Sequence, residues 1–255
     1  MSTRIRVAER VADILSCFST EQPELGVLEI SDKLNLDQAT VCRILLTLKD
    51  KGFVSSDPIT RKYTIGPKLA QIAQIGIGNT NLRSKALPHM RWLRDQTNET
   101  VTLSIRINSQ RVCIEQVESK QEIRRIIQVG RPYPLYCGAT GKMLLASMPD
   151  EEIESYIAQT TFTRFTDTTI VDPDILRAQI RQIRQNGYAI GMGERIPGGS
   201  GIAMAVRNYR GDVVAVLSIE QISYRYQPEK TLEYLADLKI ATDRISADLG
   251  YSSSQ

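Results

Sequence analysis

Gln38, Thr40, Arg43 and Thr47 place a carboxamide, two hydroxyls and a guanidinium along one side of a stretch whose other side is apolar. The apolar side is Val41, Ile44, Leu45 and Leu48, at i, i+3, i+4 and i+7, which predicts an amphipathic helix within Asp37–Gly52. Asp37 is suited to cap its free amides and Gly52 to stop it, while Ala39 keeps the polar side small at its start. A helix inserted into a DNA major groove needs this profile, with close approach first and then groups matched to base edges and phosphates. An amphipathic helix that only packs or dimerises would also satisfy the periodicity. The next residues favour DNA. Phe53-Val54-Ser55 and Lys62-Tyr63-Thr64-Ile65 flank Asp57-Pro58-Ile59-Thr60, a two-stranded wing with Arg61 and Lys62 placed to touch phosphate.

Two further stretches carry chemistry. In Gly138-Ala139-Thr140-Gly141-Lys142 the small residues let backbone amides approach a bound group, and a helix start there favours an anion. The spacing is not that of a nucleotide P-loop, which excludes ATP binding. Gly193–Gly201 sets four glycines around Glu194, Arg195 and Ser200, either a flexible loop over a pocket or a plain connector. Enzyme chemistry finds little to work with. Cys113 and Cys137 are the plausible nucleophiles, and His89, the one histidine, sits in a helix as packing or surface. Both thiols read as small buried hydrophobes, with a thiol redox sensor as the alternative. Cys17, Cys42, Cys113 and Cys137 are scattered without a C-x-x-C pair, against zinc or a disulfide framework and for a reducing cytoplasm. No catalytic residue, metal ligand or cofactor is expected.

The elements that must position these groups fall in three parts: a DNA-binding domain over 1–66, a helical linker and dimer contact over 67–98, and an effector-binding domain over 99–251. In the first, residues 4–18 form a scaffold helix with Val7, Val11, Ile14, Leu15 and Phe18 on one face. After a loop with Glu21, Pro23 and Gly26, a shorter supporting helix carries Leu28, Ile30 and Leu34, with Asn35 in the turn. Three helices and a wing give the winged helix-turn-helix plan. Lys68–Gly78, with Leu69, Ile72, Ile75 and Ile77, and Leu82–Gln96, with Leu87, Met90, Trp92 and Leu93, are helices broken at Asn79-Thr80-Asn81. Their apolar surface needs cover from the second domain or a partner, and two-fold DNA reading favours a partner.

From Thr100 the period becomes two. Thr100–Ile107, Arg111–Val117, Ile123–Val129, Tyr188–Ile190, Gly201–Arg207 and Val213–Ile219 read as strands. Gly130–Cys137 reads as an ordered loop, and the stretches from Gly138 to Met148, Glu151–Gln159, Asp172–Asn186 and Gln227–Leu249 as helices. Strands first and last with helices between give an α+β class, an antiparallel sheet with packed helices. Charge is split: residues 1–99 hold 14 Lys and Arg against 11 Asp and Glu, and residues 100–255 hold 18 against 18. A surplus this small leaves DNA affinity to local basic positions and oligomerisation. No apolar run approaches the roughly 20 residues of a membrane helix. The opening MSTRIRVAER lacks the apolar run of a signal peptide.

Along nearly its full length the chain resembles the IclR family of bacterial transcriptional regulators. The resemblance lies in TVCRILLTLKDKGFV (40–54) followed by KYTIGPKL (62–69), then GATGKMLLA (138–146), GGSGIAMAV (198–206) and GDVVAVLSI (211–219), in order and correctly spaced. It implies a winged helix before a GAF-like effector domain, in a cytoplasmic repressor or activator that binds double-stranded operator DNA as a dimer or dimer of dimers. It further implies a small-metabolite effector, an organic or aromatic acid, meeting Ala139, Thr140, Glu194, Gly201 and Ser218. Two positions depart from the pattern. Ala39 stands where relatives often carry serine, removing a donor, and Gly201 stands where many carry a small polar residue or cysteine. The latter would enlarge the pocket or leave a hydrogen bond unmade.

Overall fold

The computed structural model describes residues 5–19, 22–78 and 82–252, the side chains of 73–78 and 228 excepted. Arg4 at the expected helix start, Glu21, the break Asn79-Thr80-Asn81, the tail Ser253-Ser254-Gln255 and the side chains of Ile75 and Ile77 lie outside the described residues. The rest forms two compact units, one up to residue 80 and one from residue 81.

The first unit runs α1 (Arg6–Ser16), α2 (Val27–Leu34), α3 (Gln38–Asp50), β1 (Val54–Ser56), β2 (Tyr63–Ile65) and α4 (Pro67–Gly78). Helix α3 starts where Asp37 Oδ1 accepts the Thr40 amide at 2.8 Å, and the chain leaves it through Gly52 at φ +76°. Val41, Leu45 and Leu48 pack on Ile14, Leu25 and Ile30 as one core. Leu28 does not join them and is 59% exposed. It lies about 200° around the helix from Ile30, so Ile30 and the half-buried Leu34 take the inner positions. The wing gains a third chain segment, since Leu25 and Tyr63 exchange backbone hydrogen bonds of 3.0 and 2.8 Å.

The second unit runs α5 (Leu82–Thr97), β3 (Thr100–Ile107), β4 (Gln110–Val117), β5 (Pro132–Pro134), α6 (Ala139–Ala146), α7 (Asp150–Gln159), α8 (Pro173–Asn186), β6 (Tyr188–Met192), β7 (Gly199–Arg207), β8 (Val213–Ile222) and α9 (Pro228–Asp248). Its sheet has the order β5-β4-β3-β8-β7-β6 and is antiparallel throughout. Both faces are covered, so this is an α+β layered domain. On one face Leu82, Ala86, Met90 and Leu93 of α5, with Leu238 and Ile245 of α9, bury Val101, Leu103, Leu217 and Ile219. On the other, Leu144 and Leu145 of α6 and Leu176 and Ile180 of α8 bury Ala203 and Val216.

Of the two covers considered for the apolar side of α5, the chain's own sheet takes the inner side, with Met90 and Leu93 fully buried. One expectation is corrected. Ile123–Val129 is not a strand. Its backbone is satisfied by other groups: the Arg125 carbonyl accepts the Thr100 hydroxyl at 2.7 Å, the Ile123 carbonyl accepts Arg225 Nη1 at 2.8 Å, and the Ile127 amide donates to Gln116 Oε1 at 2.5 Å. The short β5, inside the expected loop, takes the place beside β4.

Because Leu217 is fully buried mid-sheet, Leu217→Ala should lower unfolding free energy by about 2–5 kcal/mol in a urea titration. A loss below about 1 kcal/mol would contradict this packing.

Candidate functional site

On the outer side of α3, Gln38, Ala39, Arg43 and Thr47 are exposed, whereas Thr40 is half-buried. Thr40 is engaged locally: hydrogen bonds from its hydroxyl and amide hold the Asp37 carboxyl below the usual carboxylate range. Its Oγ1 also accepts from Arg43 Nη2 at 3.4 Å, which leans the guanidinium along the helix. In the wing, Asp57 Oδ1 accepts the amides of Ile59 at 2.7 Å and Thr60 at 2.8 Å, fixing the turn that carries Arg61 outward at φ +57°. Lys62 is partly committed. Its Nζ lies 3.7 Å from Glu29, whose Oε2 accepts the Gly26 amide at 2.6 Å at the start of α2.

The second unit holds a pocket of about 30 Å³, open on one side to solvent, lined among others by Ala139, Thr140, Glu194 and Gly201. These four, from α6, the β6–β7 loop and β7, are thus brought to one place. Ser218 stands behind the wall, where its Oγ is 2.7 Å from Thr102 Oγ1, 3.1 Å from Thr140 Oγ1 and 3.0 Å from Glu220 Oε1. Thr102, Ser218 and Glu220 sit on the face of β3 and β8 turned to α6, a consequence of the two-residue strand period, and Thr140 meets them from α6. Gly201 pairs with Glu220 across the strands, and a Cβ there would sit 3.3 Å from Glu220 Oε2. The missing side chain therefore makes room for the Glu220 carboxylate.

Glu194 is already bonded. It pairs with the buried Lys142, and its Oε2 accepts the Gly138 amide at 2.6 Å. Lys142 also donates to Gln179 Oε1 at 2.6 Å. The ion pair straps the β6–β7 loop to α6, which closes the cavity. Gly141 serves packing: a Cβ there would lie 2.7 Å from the Leu135 carbonyl oxygen. Desolvation pushes the Cys113 and Cys137 thiols up to about 11, so both stay protonated and weakly nucleophilic at neutral pH.

Sequence reading missed Arg111, Arg125 and Glu220, which also line the cavity. Arg111 is 4% exposed, and its Nε and Nη1, like Arg125 Nε, have no hydrogen-bond partner among the described residues. Burial pushes both guanidinium pKa values down, with Glu220 as the largest opposing influence. The signal was present in one respect, since Arg111 and Cys113 are two apart on β4 and so share a face. Nothing in sequence shows that this face is buried.

Two family models match. The helix-turn-helix model of IclR covers residues 7–58, and the model described as the C-terminal part of bacterial transcriptional regulator IclR covers 74–247. The chain is 32% identical to the HTH-type transcriptional regulator KdgR of Escherichia coli K12, over 95% of this chain and 94% of KdgR. It is 33% identical to the transcriptional repressor AllR of Klebsiella pneumoniae, over 95% of this chain and 89% of AllR. A solved IclR homologue from Microbacterium hydrocarbonoxydans, complexed with 4-hydroxybenzoate, superposes with a TM-score of 0.85 at 25% identity, covering 96% of this chain and all of that one.

Removing one partner of a buried ion pair leaves the other charge stranded. Lys142→Met should cost about 3–5 kcal/mol in a urea titration, and the double variant Lys142→Met/Glu194→Leu should recover part of that loss. A double variant no more stable than Lys142→Met would contradict the pairing.

Proposed function

The chain belongs to the IclR family of bacterial transcriptional regulators, and from that premise we propose a ligand-responsive regulator that binds promoter DNA as a homo-oligomer and is modulated by an organic or aromatic acid. Gln38 and Arg43, with Thr40 and Thr47 beside them, read base edges in the major groove, and Ala39 allows close approach. Arg61 and, in part, Lys62 hold phosphates from the wing. Two such helices reading successive turns of one groove require two-fold symmetry, so the working unit is a dimer or a dimer of dimers. Its place is the cytoplasm, where promoter DNA lies. No described helix is long and apolar enough to cross a membrane.

The observation that carries this reading is the coexistence of an exposed polar α3 face and a cation-lined pocket in one chain. Ala139, Thr140 and Gly201 border the effector, while Glu194 and Ser218 act through the groups they hold. The 4-hydroxybenzoate held by the Microbacterium homologue supports an acid as the effector class. The relatives are named as regulators, and burial makes Cys113 and Cys137 poor nucleophiles for the enzyme or redox-sensor alternative.

Fluorescence anisotropy tests the division of labour. Arg43→Ala should relax discrimination at one operator position by about 1–3 kcal/mol, while Arg61→Ala should weaken all sequences alike and lower the salt slope by about one. An Arg43→Ala variant that binds as tightly and selectively as the parent would remove Arg43 from the interface.

A further inference from the structure

The cavity walls are electrically unbalanced. Arg111 from β4, Arg125 from the segment after it and Arg195 from the β6–β7 loop converge on one space, and Glu220 is the carboxylate facing them. The charge of Glu194 is matched by Lys142, so the lining keeps an excess of two positive charges. Arg111 and Arg195 also share one aromatic support, with guanidinium carbons 4.9 and 4.3 Å from the Tyr133 ring centroid. Gly199 gives Arg125 its room, since a Cβ there would lie 3.1 Å from the Arg125 guanidinium carbon.

Unused donors point the same way. Arg111 Nε and Nη1, Arg125 Nε and Ser200 Oγ are buried without partners among the described residues, although buried polar groups are almost always paired. A guanidinium is an array of fixed donors matched to a carboxylate, and two guanidiniums on separate segments give two attachment points. The space is small, about 30 Å³ where roughly 10–15 Å³ holds one water, and it opens to solvent. Its base admits the carboxylate end of a short acid more readily than an aromatic ring.

We propose that the effector is a short-chain dicarboxylic acid, its two carboxylates held by Arg111 and Arg125 with Ser200 donating to one of them. This rests on the reading of the cavity as the effector site. The acid supplies the two missing negative charges and occupies the idle donors, so the bound form is the electrically balanced one. Glu220, tied back through Ser218 and Thr140, sets the specificity: its charge repels a third carboxylate and leaves space for two.

Calorimetric titration of the full chain with malonate and succinate, their half-amides, 4-hydroxybenzoate and inorganic phosphate tests the proposal. A dicarboxylate should bind at least about tenfold tighter than its half-amide, which keeps the size and loses one charge. Arg111→Gln and Arg125→Gln should each erase most of that preference, and Arg111→Lys, which keeps the charge, should retain part of it. Circular dichroism selects the folded variants. A half-amide or 4-hydroxybenzoate binding as tightly as the dicarboxylates overturns the two-carboxylate site and leaves the organic-acid reading standing. Phosphate binding tighter than every dicarboxylate overturns the dicarboxylate assignment. Binding of none of these anions overturns this inference and the acid effector together.

Discussion

A lysine almost sealed from water needs a carboxylate beside it, and the effector domain is arranged around that need. Lys142 is 1% exposed and Glu194 7%, and each would be costly alone. Their pairing draws the glycine-rich β6–β7 loop onto the start of α6, where Glu194 also takes the Gly138 amide. Closing that loop puts Arg195 over Tyr133 and brings the walls of the cavity together. One buried bond thus makes the enclosure, and the cations inside it remain unmatched.

The sheet explains why a polar cavity survives inside an otherwise apolar domain. Leu103, Leu217 and Ile219 point to α5 and α9 and build the main core, so the opposite side of the same strands is free to carry Thr102, Ser218 and Glu220. Those side chains satisfy one another through hydroxyl contacts, which offsets their burial. The main apolar core and the polar pocket are divided between two faces of one sheet.

The winged helix was legible because its determinants are local. Asp37 caps α3, Gly52 ends it, and Val41, Leu45 and Leu48 repeat at the helical period. The candidate site was legible only in part. Ala139, Thr140, Glu194 and Gly201 stood in recognisable runs, but Arg111 and Arg125 lie in strand-like text where alternating charge ordinarily marks a solvated face. Their burial depends on α6 and the β6–β7 loop, which are distant in sequence. The misread strand at Ile123–Val129 has the same origin, because side chains of Thr100, Gln116 and Arg225 hold its backbone where a ladder was expected. Met90 and Leu93 looked like a dimer surface because the sheet that covers them is assembled later in the chain.

A regulator of this kind lives by coupling: whatever factor an acid imposes on DNA affinity, DNA must impose on acid affinity. The most direct measurement is binding of the full chain to DNA upstream of its own gene, against shuffled DNA, across a salt series with and without a dicarboxylate. Selective, salt-weakened binding with a two-fold symmetric footprint, shifted by the acid and matched by an equal shift in acid affinity when DNA is present, is the predicted result. DNA binding that is non-selective at every salt concentration, or selective binding indifferent to every acid, would contradict it.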